Sequence, residues 1–213
     1  MSKILVVFDF CDTIITGQSV SLFLNYLYNK ESIIKKYYLK VRTKLNPFKL
    51  DDINYKSHLL RPYKGLTKKE LDIIGKEFYN NVLKSRFNKK VISKLKFHKE
   101  RNHKIIIISG GFDVYLKYFA EEYQIELIST KLEFKDNEFT GRLIEQCLNE
   151  NKIKMLKSKF NLKNYDMKES FAYSDSKSDK DLLSLFGNVY VIKIKGQALN
   201  WIKPNWKIIE INE

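Results

Sequence analysis

Residues 4–13, Ile-Leu-Val-Val-Phe-Asp-Phe-Cys-Asp-Thr, decide the fold. A short apolar run, residues 4–8, changes abruptly to polar side chains at Asp9. Apolar, β-branched residues bounded by such a break are typical of a buried strand in a parallel sheet. In open α/β sheets, ligands bind just beyond the carboxyl ends of the strands. The stretch therefore predicts an α/β protein with a candidate site that begins at Asp9.

The composition is that of a folded protein with one domain, or one domain carrying a smaller insert. The chain has 213 residues, of which 44% are hydrophobic. No apolar run approaches the roughly 18 residues of a membrane span, and residues 4–8 are too few for a signal peptide. Cys11 and Cys147 are the two cysteines, which fits a reducing compartment. We therefore expect a cytoplasmic protein without a membrane partner.

The net charge of +14 has two interpretations, a polyanionic partner or a lysine-rich surface. The lysines are spread along the whole chain, and no nucleic-acid-binding motif accompanies them. We therefore expect no nucleic-acid partner. A positive field would still favour a small anionic substrate that carries phosphate. The sequence leaves the oligomeric state open.

The first third of the chain is predicted to be helical after the first strand. Apolar residues at helical spacing predict helices at residues 19–28 and 32–45. Thr67 and Glu70 form a capping-box pattern that opens a helix reaching about Phe87. This segment is too long for an ordinary crossover between strands. It predicts a small all-helical cap of residues 16–87, lying over a core of residues 1–15 and 88–213.

Strands and helices alternate in the rest of the chain, which implies a parallel, Rossmann-like sheet with right-handed crossovers. A hairpin turn is predicted at Asp136-Asn137. The predicted strands are residues 104–108, 126–129, 132–135, 138–142, 170–173 and 189–192, with a last strand in 201–211. The predicted helices are residues 89–100, 112–123, 152–160 and 179–186, with a helix end near 201.

Polar clusters follow three of the predicted strands, at residues 9–13, 109–111 and 174–179. Ser109 offers a hydroxyl group, and the backbone at Gly110 can approach an anion closely because glycine has no Cβ. Lys152 lies between the second and third clusters and supplies a positive charge for phosphate. Asp175 and Asp179 add carboxylates that can gather Mg²⁺. With Asp9 as nucleophile, these groups are the parts needed for phosphoryl transfer.

The order of these motifs resembles that of the haloacid dehalogenase (HAD) superfamily. The resemblance is strongest to the phosphoserine-phosphatase-like branch, which carries a small helical cap of the C1 type. Residues 9–13 match the first motif of that family and residues 109–111 the second. Lys152 matches the lysine motif and residues 173–179 the acidic motif. Residues 132–142, with Thr140-Gly141, resemble the flap segment of the branch.

This resemblance implies Mg²⁺-dependent hydrolysis of a small phosphate monoester through an aspartyl-phosphate on Asp9. The implied catalytic residues are Asp9, Asp12, Ser109 and Lys152. The implied phosphate-binding residues are Phe10, Cys11, Ser109, Gly110 and Lys152. The implied metal ligands are Asp9, Cys11 through its backbone carbonyl, Asp175 and Asp179.

Cys11 is the main departure from the family pattern. Phosphatases of the family read Asp-x-Asp-x-Thr, and the second Asp protonates the leaving group and then activates water. A thiol matches that acid–base work poorly. Asp12 could take the role if its side chain points inward, or it could be a turn residue. Cys11 also leaves open phosphotransfer, C–P or C–halogen cleavage, and a phosphate-binding protein with low turnover.

The cap departs from the branch as well. Phosphoserine phosphatases use an acidic residue where Gln18 stands, so we expect a substrate other than phosphoserine. The cap is also rich in aromatic residues, which predicts either ordinary packing of small helices or a substrate that contains a ring. The tyrosines concerned are Tyr26, Tyr28, Tyr37, Tyr38 and Tyr63.

Overall fold

The computed structural model describes residues 3–30, 52–194, 196 and 198–211. Its strands are β1 Leu5–Phe8, β2 Lys104–Phe112, β3 Glu126–Lys135, β4 Glu138–Glu145, β5 Phe171–Ser174, β6 Asn188–Ile194 and β7 Lys207–Ile211. They form one sheet of seven strands in the order β4-β3-β2-β1-β5-β6-β7. Neighbouring strands are parallel except β3 and β4, which are antiparallel. The predicted α/β fold class is confirmed.

Helices cover the sheet and fill the long connection between β1 and β2. The α-helices are α1 Ser19–Lys30, α2 Asp52–Leu60, α3 Lys68–Phe78, α4 Lys89–Glu100, α5 Asp113–Tyr123, α6 Glu150–Lys159 and α7 Lys180–Leu183. Each named element described between β1 and β2 is a helix. The helix predicted at residues 32–45, with Tyr37 and Tyr38, lies outside the described residues. Within the described ranges, no helix combines the length and apolarity needed to cross a membrane.

The central strand β1 is buried on both faces, which explains its uninterrupted apolar run. Val6 and Phe8 belong to the apolar cluster on one face of the sheet, and Leu5 and Val7 to the cluster on the other. Side chains alternate across a strand, so a strand covered on both faces needs apolar residues at every position. Because β1 ends at Phe8, the first polar residue of the stretch, Asp9, lies at the carboxyl edge of the sheet.

Residues 14–16 and 86–88, where we predict that the cap begins and ends, run side by side. Ile15 forms an antiparallel bridge with Phe87. The Thr16 N–H donates to the Arg86 carbonyl oxygen at 2.9 Å, and the Asn88 N–H donates to that of Ile14 at 2.8 Å. This pairing supports our proposal that residues 16–87 form a cap on a core of residues 1–15 and 88–213.

The helix predicted from Thr67 to Phe87 is shorter than expected. Its capping box is confirmed, because Thr67 Oγ1 accepts the Glu70 N–H at 3.1 Å and the Thr67 N–H donates to Glu70 Oε2 at 2.8 Å. The α-helix then ends at Phe78, and a π turn, Tyr79–Leu83, and a 3₁₀ turn, Lys84–Arg86, follow. The π turn contains two asparagines, which are weak helix formers, and it keeps Tyr79 and Leu83 buried.

Other element boundaries also differ from the predictions. Residues 126–135 form one strand rather than two, and residues 109–111 belong to β2. The hairpin turn is confirmed, with Asp136 at φ 50° and Asn137 at φ 68°, as a type I′ turn requires. The helix predicted at 179–186 is only Lys180–Leu183. Turns replace the helix end predicted near residue 201, because Pro204 disfavours helical backbone before it.

Gly75 lets α3 pack closely against α5. A Cβ built on Gly75 would lie 2.2 Å from the Val114 carbonyl oxygen, which is backbone and cannot swing away. We expect Gly75→Ala to lower the free energy of unfolding by about 1–3 kcal/mol in urea denaturation. Lys69→Ala, at an exposed position of the same helix, is the control and should change it by less than about 0.5 kcal/mol. Equal stabilities of the two variants would contradict the close packing.

Candidate active site

The carboxyl ends of β1, β2 and β5 meet at a cavity of about 350 Å³. From the sheet side it is lined by Asp9, Cys11, Ser109, Gly110, Lys152 and Asp175, among others. From the helical side it is lined by Gln18, Val20, Ser21, Leu24, Lys56 and Leu59. The structure thus brings most of the predicted site residues to one cavity, with α1 and α2 contributing to its wall.

Lys152 connects two of the predicted carboxylates. Its Nζ lies 2.9 Å from Asp9 Oδ1 and 2.8 Å from Asp179 Oδ2. Ser174 Oγ donates to the same Asp179 oxygen at 2.6 Å. Lys152 is only 5% exposed, although lysine is rarely buried unless it is paired. The ammonium group therefore fixes the orientation of the Asp9 carboxylate at the cavity wall.

Burial and charge set the ionisation of this pair. Burial is the main reason why the pKa of Asp9 is raised to about 6. The charge of Lys152 lowers this pKa, whereas the charge of Asp179 raises it. A hydrogen bond from the Phe10 backbone also lowers the pKa of Asp9. Burial alone would lower the pKa of Lys152, but the two carboxylates hold it well above its usual value. At neutral pH the Asp9 carboxylate is therefore ionised beside a charged lysine.

Asp175 faces the same cavity and is held by Thr13. The Thr13 hydroxyl donates to Asp175 Oδ1 at 3.2 Å and accepts the Asp175 N–H at 3.1 Å. Burial, and then the charges of Asp9 and Asp12, raise the pKa of Asp175 to about 8. Burial and the neighbouring carboxyl groups thus oppose ionisation of Asp175, and a cation placed beside Asp175 would favour its ionised form.

Cys11 also lines the cavity, with its sulfur held by Ser19. The Ser19 N–H donates to Cys11 Sγ at 3.3 Å, and Ser19 Oγ lies 3.1 Å from the same sulfur. Ser19 Oγ is also 3.0 Å from the buried Tyr115 hydroxyl. Burial, and then the charge of Asp9, raise the pKa of the Cys11 thiol to about 11. The thiol is therefore protonated at neutral pH and is a weak acid.

Asp12 does not line the cavity. Its backbone is left-handed, with φ 51°. Its Oδ1 accepts the Gly17 N–H at 2.7 Å, and its Oδ2 accepts from the Gln18 side-chain amide. The carboxylate therefore closes the turn that leads into α1, and it does not point inward as an acid–base role at the cavity would need.

Phe10 and Asp179 contribute indirectly. The Phe10 ring is buried and packs edge-on against Phe119, 5.3 Å between centroids, so only its backbone can act at the site. Asp179 lies behind Lys152 rather than in the cavity wall, and its Oδ1 is buried without a hydrogen-bond partner within the described structure. Both residues thus support the groups that line the cavity.

The donor set fits Mg²⁺ better than a metal that needs several side-chain ligands. Among the described residues, no group of three or more His, Cys, Asp and Glu side chains is arranged to hold a metal ion. Asp9 and Asp175 nevertheless line one cavity and bring two carboxyl groups to it. Mg²⁺ commonly takes one or two protein carboxylates and completes its shell with water and substrate phosphate.

The sequence analysis missed Lys56, which reaches the cavity from α2. Its Nζ donates to the Gly110 carbonyl oxygen at 3.2 Å. It is one lysine among many in the chain, and its spacing to the other motifs gives no signal. The described cap tyrosines do not line the cavity. Tyr63 is buried, and Tyr26 packs 5.5 Å from Phe78 between centroids, which favours the packing interpretation over a ring-containing substrate.

Lys152→Met is expected to lower the free energy of unfolding at neutral pH by about 3–5 kcal/mol, because it leaves buried carboxylates unpaired. Lys154→Met, at an exposed position of the same helix, is the control and should have little effect. Urea denaturation measures both. Because Lys152 lowers the pKa of Asp9, its removal should raise this pKa above about 6, and the deficit should shrink as the pH falls towards 6, where Asp9 in the variant has taken up a proton. A deficit that grows on acidification would contradict this assignment.

A family model described as haloacid dehalogenase-like hydrolase matches residues 6–184. The chain belongs to this family of hydrolases, which confirms the resemblance found in its motifs. A comparison with curated proteins finds no match.

Solved structures share the fold at low sequence identity. A protein of unknown function from Bordetella pertussis Tohama I is 17% identical, with a TM-score of 0.75, over 98% of this chain and 99% of that one. A HAD family hydrolase from Salmonella enterica subsp. enterica serovar Typhi is 21% identical, with a TM-score of 0.65, over 92% of this chain and 64% of that one. A phospho-aspartyl intermediate analogue of phosphoserine phosphatase is 17% identical, with a TM-score of 0.63, over 90% of this chain and 87% of that one.

Proposed function

We propose that this protein is a Mg²⁺-dependent phosphatase of a small phosphate monoester, with Asp9 as the residue that accepts the phosphoryl group. The observation that carries the proposal is the geometry at Asp9, whose carboxylate is held by Lys152 in a cavity that also contains Ser109 and Asp175. Membership of a hydrolase family supports it. So does the shared fold of phosphoserine phosphatase, for which a phospho-aspartyl intermediate analogue has been solved.

In the first half-reaction, Lys152 holds Asp9 Oδ1 and leaves the second carboxylate oxygen to attack phosphorus. A bond forms between that oxygen and phosphorus while the ester P–O bond breaks. The departing oxygen takes its proton from the Cys11 thiol or from water. The Ser109 hydroxyl, the Gly110 backbone and the Lys152 ammonium stabilise the negative charge on the phosphoryl oxygens.

In the second half-reaction, water attacks the phosphorus of the aspartyl-phosphate. The P–O bond to Asp9 breaks, its electron pair returns to the carboxylate, and the proton of the water passes to the Cys11 thiolate or to the released phosphate. Asp9, Asp175 and the Cys11 carbonyl, with Asp179 in support, would hold Mg²⁺, whose positive charge would offset the negative charge of the phosphoryl group. The cycle ends with Asp9 as it began.

The weak acid at Cys11 favours substrates whose leaving groups need little protonation. It also keeps a second candidate function open, namely transfer of the phosphoryl group to an acceptor other than water, or another reaction of the same site such as C–P or C–halogen cleavage. A phosphate-binding protein with low turnover is the corresponding alternative outside catalysis. Identification of the products separates these candidates, because only a phosphatase gives free phosphate and the parent alcohol in equal amounts.

A phosphate-release screen tests the proposal. The purified protein is incubated with sugar phosphates, phospho-amino acids, nucleotides and p-nitrophenyl phosphate, with Mg²⁺ or with a chelator. We expect Mg²⁺-dependent release from at least one of these esters and loss of the activity in the chelator. A mock purification from cells that do not express the protein reports any contaminating phosphatase. Release that persists in the chelator would contradict the metal-dependent mechanism.

A further inference from the structure

Lys56 brings a positive charge of the cap over the backbone that we propose binds phosphate. Its Nζ is 3.2 Å from the Gly110 carbonyl oxygen and 3.3 Å from the position that a Cβ on Gly110 would take. Ser109 and Gly111, the neighbours of Gly110, line the same cavity as Lys56. The ammonium group therefore lies beside the second motif of the site, although it comes from a different part of the chain.

The structure ties the end of α2 to the sheet. After α2 and the 3₁₀ turn Arg61–Tyr63, the chain pairs with the β3–β4 hairpin. The Gly65 N–H donates to the Phe139 carbonyl oxygen at 2.9 Å, and the Phe139 N–H donates to that of Leu66 at 2.8 Å. Since the hairpin is part of the central sheet, these bonds hold the Lys56-bearing helix in place over the strand ends.

A second positive charge would strengthen the binding of phosphate in this cavity. Lys152 divides its charge between Asp9 and Asp179, so it is already balanced by carboxylates before any ligand enters. A phosphate group adds up to about two negative charges near neutral pH. Hydrogen bonds between an ammonium group and phosphate oxygens are stronger than those between neutral groups. Lys56 can supply such bonds from the helical side of the cavity.

We propose that Lys56 binds the phosphoryl group of the substrate, as a second cation contributed by the cap. The inference rests on the proposed phosphatase function and deepens it by adding a cap residue to the phosphate site. Because the contact is made to the group that is transferred, it strengthens binding of every phosphate ester and of the product phosphate. It does not select among leaving groups.

Substitution of Lys56 gives a clean test. Gly110 O also accepts from the Thr130 hydroxyl at 3.1 Å, so removal of Lys56 does not leave this carbonyl without a partner. The variants are Lys56→Met and Lys56→Arg, with Lys64→Met, an exposed lysine of the cap that does not line the cavity, as the control. Urea denaturation establishes that all three are folded.

Two measurements are made on each variant with Mg²⁺ present. Calorimetry gives the affinity for inorganic phosphate, and steady-state kinetics give kcat/KM for p-nitrophenyl phosphate and for 3-phosphoglycerate, whose leaving groups are unlike. In Lys56→Met we expect phosphate affinity and both kcat/KM values to fall by a similar factor, about 10- to 100-fold. Lys56→Arg should recover part of the loss, and Lys64→Met should match the wild type.

Unchanged phosphate affinity in Lys56→Met would overturn the proposal. A loss confined to 3-phosphoglycerate would also overturn it, since Lys56 would then recognise the carboxylate of the leaving group. The calorimetric measurement separates this inference from the phosphatase function. If the wild type hydrolyses neither ester but binds phosphate, and Lys56→Met weakens that binding, the proposed function fails while the role of Lys56 stands.

Discussion

Asp9→Asn is expected to lower the rate of phosphate release by at least about 10³-fold, because the amide cannot attack phosphorus as a carboxylate does. The change is nearly isosteric, and the amide oxygen of the new side chain can still accept from Lys152. It also removes one buried negative charge, so the protein should remain folded and should still bind inorganic phosphate. Steady-state turnover of the best ester from the screen, with calorimetry for phosphate, measures both properties.

Asp136→Asn is the matched control for this experiment. Asp136 is exposed in the hairpin turn at φ 50°, a conformation that asparagine also adopts readily. The same chemical change there should leave turnover as in the wild type. Phosphate release at the wild-type rate by Asp9→Asn would show that another group receives the phosphoryl group or that water attacks directly.

Cys11→Asp is expected to raise turnover of alkyl phosphates by about 10²-fold, which is within the usual range for a positioned general acid and base. The Ser19 N–H and hydroxyl already contact the side chain at position 11, so two hydrogen-bond donors are in place for a carboxylate there. Aryl phosphates, whose leaving groups need less protonation, should gain much less. The comparison of an alkyl and an aryl ester therefore isolates the acid role from any change in phosphate binding.

Two further variants complete the Cys11 experiment. Cys11→Ser keeps a small neutral side chain and should leave the alkyl-to-aryl ratio close to that of the wild type. Asp12→Ala should have little effect on the chemical step, because Asp12 does not line the cavity and its two carboxylate oxygens accept from the Gly17 N–H and the Gln18 side-chain amide. If Cys11→Asp changed nothing while Asp12→Ala abolished turnover, the acid role would belong to Asp12 instead.

The sequence predicts the parts of the fold that local patterns control. The β1 run, the turn at Asp136-Asn137 and the capping box at Thr67 are each set by a few neighbouring residues, and the structure confirms each of them. The end of α3 at Phe78 is not predicted, because Tyr79 and Leu83 are buried through a π turn that depends on packing against other helices. Helical periodicity alone continues through that point.

The candidate site also contains residues that the sequence predicts and residues that depend on tertiary packing. Asp9, Ser109, Lys152 and Asp175 follow strands or a motif order that the sequence displays, and the structure brings them to one cavity. Lys56 carries no such signal, because its position depends on how the cap lies over β2. The direction of the Asp12 side chain likewise depends on a left-handed backbone and on hydrogen bonds to the start of α1.

Trapping of the covalent intermediate tests the central claim most directly. The wild type is mixed with an ester carrying a radiolabelled phosphoryl group in the presence of Mg²⁺, quenched in acid within one turnover, and digested for peptide mapping. We predict label on the peptide that contains Asp9, lost on treatment with hydroxylamine as an acyl-phosphate requires, and absent from Asp9→Asn. Label on another residue, or turnover with no labelled protein at any quench time, would contradict the account.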